Sequence, residues 1–290
     1  MNNHITNNQP VKLAASSYLN SAPLIWSFVH GSMRDRVEFT EAVPAKCADM
    51  LAKAEVEVAL VPVIEYQRAN DVSLVPDVCV GSKGEVRSVL LVSRMPHLES
   101  IRSVALDESS RTSATLVKII FREFLRHDAE WTTRSPDLNE MLERNDAALI
   151  IGDPAMVFTR GDLRIWDMAS LWRNYTGLGF VFAMWMVNDS AMDRVGTIDF
   201  ASARDEGVEN KSEIISEYQK ILDLSRDSLQ DYLDKNICFR LDDQMQQGLN
   251  HYYELAHKHG LIEVIKPLKT LELTANSVRQ AVSLSRNPTG

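Results

Sequence analysis

With 290 residues, 45% of them hydrophobic and 24% charged, the chain has the composition of an ordinary globular protein, long enough for two lobes. Its formal net charge of −9 and the lack of a Lys/Arg-rich run argue against a nucleic-acid partner, and no stretch approaches a membrane span. Cys47, Cys79 and Cys238 are isolated, which fits reduced thiols; the scattered histidines give no metal-ligand spacing, and His257 and His259 do not share a helix face.

The opening MNNHITNNQP has neither a basic nor an apolar leader region, so a cytoplasmic location is expected, with residues 1–10 and 286–290 as flexible termini. The apolar run from Val11 breaks at Ser16-Ser17-Tyr18-Leu19-Asn20-Ser21 and re-enters a helical pattern through Ala22-Pro23. This predicts a strand, a polar turn and a helix over Ala22–His30, with Ser21 as N-cap and Pro23 tolerated in the first turn. A helix over Ala45–Ala54, a strand over Val56–Val61, a helix over Pro62–Arg68 and extended chain over Val72–Val80 follow. The turn at Gly81–Gly84 leads into an apolar strand ending at Val92-Ser93, which should be buried on both faces.

Ser103–Leu106 reads as a strand; Asp107-Glu108-Ser109-Ser110-Arg111-Thr112-Ser113 follows, then Leu116, Val117, Ile119, Ile120 and Phe124 at helical spacing, with Ser110 as the expected cap. Ala147–Ile151 is another apolar strand, with Asp153 as N-cap and Pro154 opening a helix. A second long apolar run, Phe180–Val187, precedes a chiefly helical remainder with long elements at Ser212–Leu233 and Asp242–His259 and Gly260 as C-cap. The two long buried strands bracketing an inserted strand–helix unit predict two lobes joined by two crossover strands. Residues 11–92 and 188–285 are expected to form the first and 93–187 the second. Three helix starts at the carboxyl ends of strands would then converge on an anion-binding cleft between the lobes.

Five blocks occur in one order: Ser-Tyr-Leu-Asn-Ser-Ala-Pro-Leu (17–24), Gly-Glu-Val-Arg-Ser-Val-Leu-Leu (84–91), Ser-Ser-Arg-Thr-Ser (109–113), Ile-Gly-Asp-Pro-Ala (151–155) and Thr-Gly-Leu-Gly-Phe-Val-Phe-Ala (176–183). This pattern resembles the chorismate dehydratase family of menaquinone biosynthesis by the futalosine route. One departure is Gly179, where that family usually has proline before the phenylalanine. The resemblance implies an α/β, periplasmic-binding-protein type 2-like fold used as a cofactor-free lyase, with chorismate as substrate and 3-[(1-carboxyvinyl)oxy]benzoate plus water as products. It also implies that Asn20 is essential. The alternative is a non-catalytic cytosolic solute-binding protein for a small aromatic or cyclic carboxylate.

None of the five blocks contains His, Lys or Cys, and their only acidic residues are Glu85 and Asp153, which leaves no nucleophile and no metal-ligand set. The Asn20 amide can donate to developing charge or position a hydroxyl, and a substrate carboxylate can itself take the proton. Asp153 either polarises the leaving hydroxyl or caps a helix. Ser17, Tyr18 and Ser21 on one turn, and Ser109, Ser110, Thr112 and Ser113 on another, form the expected substrate-binding set, with Thr176 and Gly177 closing the cleft floor. Ser88 reads either as a ligand contact or as a plain strand serine. Arg111 either adds charge or is solvated, Arg87 is more naturally a structural ion-pair residue than a ligand contact, and Trp172 and Tyr175 read as core. Oligomeric state is not legible.

Overall fold

The apolar runs and the Pro and Gly punctuation translate into alternating strands and helices throughout the first two-thirds of the chain; the computed structural model describes residues 9–271. The ends expected to be flexible fall largely outside the described residues. β1 (Val11–Ala15) runs into α1 (Ala22–Val29), β2 (Val37–Glu41) into α2 (Pro44–Ala52), and β3 (Val58–Pro62) into α3 (Ile64–Arg68) and the long β4 (Val72–Ser82). β5 (Val89–Ser93) and β6 (Ser103–Asp107) precede α4 (Thr112–Ile119), which continues as a π-turn over Ile120–Phe124. β7 (Glu130–Arg134), α5 (Leu138–Arg144), β8 (Ala147–Ile151), α6 (Pro154–Val157), β9 (Arg164–Asp167) and α7 (Met168–Thr176) complete this unit before β10 (Phe180–Asn188).

The rest is helical: α8 (Met192–Val195), α9 (Phe200–Glu209), α10 (Lys211–Leu222), α11 (Arg226–Asp231) and α12 (Asp243–Lys258). The single helix expected over Ser212–Leu233 is broken, because Asp223 takes a left-handed conformation (φ 52°) and Ser225 caps a new helix, which itself widens into a π-turn over Tyr232–Asn236.

Two mixed five-stranded sheets result, ordered β2-β1-β3-β10-β4 and β7-β6-β8-β5-β9. In the first, β1 pairs in parallel with β2 and β3, and β10 runs antiparallel between β3 and β4. In the second, β6 is parallel to β7 and β8 while β5 is antiparallel to β8 and β9. β3, β5 and β8 are buried at every position, as their uninterrupted apolar runs require. The two-lobed α/β expectation therefore holds.

The crossovers, however, lie elsewhere than expected. β5 belongs to the second sheet and β10 to the first, so the chain changes sheets at residues 83–88 and 177–179 instead of near 92 and 187. Apolar periodicity marks a strand as buried but carries no information on which sheet it joins.

Candidate active site

The carboxyl ends of β1, β3, β6 and β8 face a cleft with about 510 Å3 of empty space. Its polar lining is Ser16, Tyr18, Asn20 and Ser21 from the β1–α1 turn and Ser109, Ser110, Arg111, Thr112 and Ser113 from the β6–α4 turn. Leu60, Pro62, Val80, Phe182 and Ala183 supply apolar surface from the first sheet, with Pro44, Val89, Ile151 and Gly152 completing the wall. Such a lining suits a small ring carrying anionic groups.

The caps expected at these helix starts are not made. Ser21 and Asp153 occupy N-cap positions with helical backbone angles and no capping bond, and the N-cap of α4 is Arg111, not Ser110. Each side chain has a stronger partner: the Ser21 hydroxyl donates to Asn20 Oδ1 at 3.0 Å, and Asp153 Oδ1 accepts the Leu19 amide at 2.9 Å. Away from the cleft, Asp137, Asp167, Asp199, Ser225 and Asp242 do cap their helices. The first-turn amides of α4 thus lack both an intrahelical acceptor and a side-chain cap, and the positive end of its dipole is open to an anion.

Several contacts draw the lobes together around this space. The Tyr18 ring packs on Gly152, where φ is +67° and an added Cβ would lie 2.6 Å from the ring, so both conformation and space demand glycine. Ala45 N donates to Ser109 O at 3.2 Å and Ile64 N to Thr112 Oγ1 at 3.3 Å. The Arg111 guanidinium reaches Asp49 at 2.5 Å and Glu65 at 2.8 Å. Its charge is therefore spent on two carboxylates of the first lobe, and anion binding falls to hydroxyls and amides. Ser110 and Ser113 are buried, and their hydroxyls have no protein partner among the described residues.

Burial shapes the acidic groups beside the cleft. Asp153 is pushed up to about 6 by desolvation, against the opposing effect of the Leu19 amide. Asp107, almost wholly buried at the end of β6, is also raised by desolvation; it accepts the Ser109 amide at 2.8 Å and hydroxyl at 2.6 Å, which props the second turn. Tyr18 is raised by burial and by the nearby Asp107 and Asp153 charges.

Five of the expected site residues do not line the cleft. Asp153 faces the Leu19 amide and acts on the turn that carries Asn20. Ser17 presents its carbonyl to the Tyr218 hydroxyl. Ser88 is fully buried behind the cleft, accepting from the Tyr232 hydroxyl at 2.7 Å. Thr176 and Gly177 finish α7: Thr176 Oγ1 donates to Trp172 O at 2.8 Å and Gly177 is a left-handed C-cap with φ 73°. The part of the fifth block that does line the cleft is Phe182 and Ala183, and Thr176 and Gly177 do not close its floor.

Arg87 is structural, but its guanidinium forms no ion pair among the described residues: it donates to Ser228 O and Oγ, while the backbone amide donates to the Asp167 carboxylate. Trp172 is core, while Tyr175 is partly exposed and stacks on Phe124 at 4.4 Å. Asp107, Phe182, Tyr218 and Tyr232 are not singled out as site residues by the sequence; Asp107, at the carboxyl end of a strand, and Phe182, within the fifth block, carry a local signal, and the two tyrosines carry none.

The residue pattern matches the Menaquinone biosynthesis family (VitK2_biosynth) over residues 11–258. The chain belongs to this family. Relatives include a chorismate dehydratase of Thermus thermophilus, 30% identical over 268 residues that cover 85% of this chain and 95% of that protein. A chorismate dehydratase of Campylobacter jejuni is 24% identical, covering 81% and 88% of the two chains. Among solved structures, protein AF1704 of Archaeoglobus fulgidus superposes with a TM-score of 0.71 at 16% identity, over 87% of this chain and 98% of that one. A Candida albicans protein described as having the generic periplasmic binding protein fold gives 0.63 at 13% identity, over 92% and 99%. At such identities these likenesses establish the fold alone. No helix among the described residues is long and apolar enough to cross a membrane, and none of their His, Cys, Asp and Glu side chains form a group of three placed to hold a metal ion.

Proposed function

We propose that this member of the family is a cytoplasmic chorismate dehydratase, a lyase that forms 3-[(1-carboxyvinyl)oxy]benzoate and water without a cofactor. The observation that carries the reading is the pairing of an uncapped α4 N-terminus, flanked by the hydroxyls of Ser110 and Ser113, with the Asn20 turn on the opposite wall of one cleft. A ring with two carboxylates needs two such walls: one to hold an anionic group by neutral donors, the other to act on the reacting edge. The close relationship to named chorismate dehydratases supports the choice of substrate.

In the reaction, the C–H bond beside the enolpyruvyl ether breaks and its electron pair becomes a ring double bond. The neighbouring C–O bond breaks, the hydroxyl leaves with a proton as water, and aromatisation drives the step. The substrate's own enolpyruvyl carboxylate takes the ring proton and passes it to the departing hydroxyl, so one water leaves and the charge of the organic product equals that of the substrate. Asn20 donates to the charge developing at the ring edge, and the apolar wall of Leu60, Val80 and Phe182 keeps water from the carbanion-like centre. Asp153 holds the turn from behind.

Incubation with chorismate in the presence of EDTA, followed by chromatography, should yield the aromatic enol ether. Bound chorismate without product would overturn the enzyme reading in favour of solute binding.

A further inference from the structure

Two consecutive tyrosines of α12, Tyr252 and Tyr253, are fully buried and send their hydroxyls to backbone carbonyls beside the cleft. Tyr252 donates to Thr112 O at 3.0 Å and Tyr253 to Val63 O at 2.8 Å. The peptide that carries Val63 O also carries the Ile64 amide, which donates to Thr112 Oγ1 at 3.3 Å. Thr112, the first residue of α4 and part of the cleft lining, is thus held at its backbone by one tyrosine and at its side chain, through one peptide, by the next.

The backbone contact bears on the group at the other side of the same peptide. A trans peptide is planar, with C=O and N–H pointing in opposite directions, so a donor fixed on Thr112 O also fixes the direction of the Ser113 N–H. Helix carbonyls point toward the C-terminus and amides toward the N-terminus, which for α4 is the wall of the cleft. The Ser113 amide has no acceptor among the described residues. A carbonyl that accepts a hydrogen bond polarises its peptide and makes the attached N–H a stronger donor. The Tyr252 ring itself is anchored edge to face on Phe180 at 5.1 Å and on Trp172 at 6.4 Å, so the hydroxyl is placed from the crossover at 177–179 that joins the lobes.

We infer that Tyr252 is a positioning residue for the Ser113 amide, aiming and polarising the N–H that meets a substrate carboxylate. This rests on the reading of the α4 turn as the wall that holds an anionic group. That group is already charged in the substrate, so the contact is made alike in the ground state and the transition state. Weakening it raises KM and leaves kcat nearly unchanged, the opposite of the effect of losing Asn20 from the reacting edge. The residue comes from α12, 140 positions along the chain from the threonine it holds.

The test compares the parent with Tyr252→Phe, which keeps the ring contacts and deletes the hydroxyl, and with Tyr66→Phe as a control. Buried Tyr66 donates to Pro267 O at 2.7 Å and does not line the cleft, so its loss removes a hydrogen bond of the same kind without touching α4. Tyr252→Phe should raise KM for chorismate about tenfold with kcat within about threefold, whereas Tyr66→Phe should leave both near the parent values. In the ligand-free proteins the backbone amide resonance of Ser113 should be displaced by Tyr252→Phe and unmoved by Tyr66→Phe. An unmoved Ser113 resonance or an unchanged KM in a folded Tyr252→Phe protein would overturn the inference, as would an equal rise of KM in both variants. A parent whose Ser113 resonance does not respond to added chorismate would defeat the functional reading of the cleft, and the ligand-free comparison would still decide whether Tyr252 orients that amide.

Discussion

Asp153, at the start of α6, reaches from the second lobe to the first and accepts the Leu19 amide at 2.9 Å, immediately before Asn20 in the chain. An aspartate before proline ordinarily serves its own helix, and here it serves the turn across the cleft. The carboxylate is thereby half-buried, and its proton is held more tightly than in the unfolded chain.

That linkage has a sign. With its pKa raised from near 3.8 to about 6, Asp153 contributes stability that is fully present below about pH 4 and is lost as pH rises through about 6. Asp153→Asn keeps an acceptor for the Leu19 amide and does not titrate. The Tm of the parent minus that of Asp153→Asn should therefore fall between about pH 4 and 6 and level off above. A pH-independent difference, measured by differential scanning calorimetry, would show that the carboxylate ionises normally.

Asn20→Ser should separate chemistry from folding. Asn20 is half-buried in a turn and contributes little to the core, so Tm should stay near that of the parent. Turnover should fall by roughly 10²–10³-fold, the scale of one donor to developing charge. Unchanged turnover in this variant would remove Asn20 from the chemistry.

Ser110 and Thr112 sit two residues apart yet should behave differently. The Ser110 hydroxyl has no partner among the described residues and lines the cleft, so Ser110→Ala should weaken chorismate binding by about 1.5–3 kcal/mol, roughly ten- to hundredfold, without a change in Tm. Thr112 Oγ1 already accepts the Ile64 amide, so Thr112→Ala should also lower Tm. Calorimetric titration beside thermal melts distinguishes the two; equal binding by Ser110→Ala and the parent would place the ligand elsewhere.

Gly248 on α12 lies against the crossover at 177–179, where an added Cβ would stand 2.0 Å from Gly179 O. The same carbonyl accepts the Trp172 indole N–H at 3.1 Å, so it is poorly placed to yield. Gly248→Ala should cost about 1–3 kcal/mol by overpacking and lower Tm by several degrees. A variant as stable as the parent in urea unfolding would show that α12 shifts freely over the crossover.

The elements of the fold were written in local chemistry. The uninterrupted apolar runs at Val58–Pro62, Val89–Ser93 and Ala147–Ile151 are strands because only a strand buried on both faces accommodates them, and Pro23, Pro44 and Pro154 open helices because their missing N–H groups need no acceptor there. The two polar turns of the cleft were legible for the same reason, as were eight of its lining positions.

What the sequence did not contain is the choice of partner. Ser21 and Asp153 are good caps by residue type, but Asn20 and the Leu19 amide compete for them, and that competition exists only once the turn and the second lobe are in place. The charge of Arg111 depends on Asp49 and Glu65 for its neutralisation, and the exclusion of Thr176 and Gly177 from the cleft depends on where the chain changes sheets. Tyr232 is the extreme case: a tyrosine in a helical stretch has the same local pattern whether it only packs in the core or also donates to Ser88. Periodicity reports which face of an element is buried, whereas a hydrogen-bonding partner far along the chain is decided by distances that only tertiary packing creates.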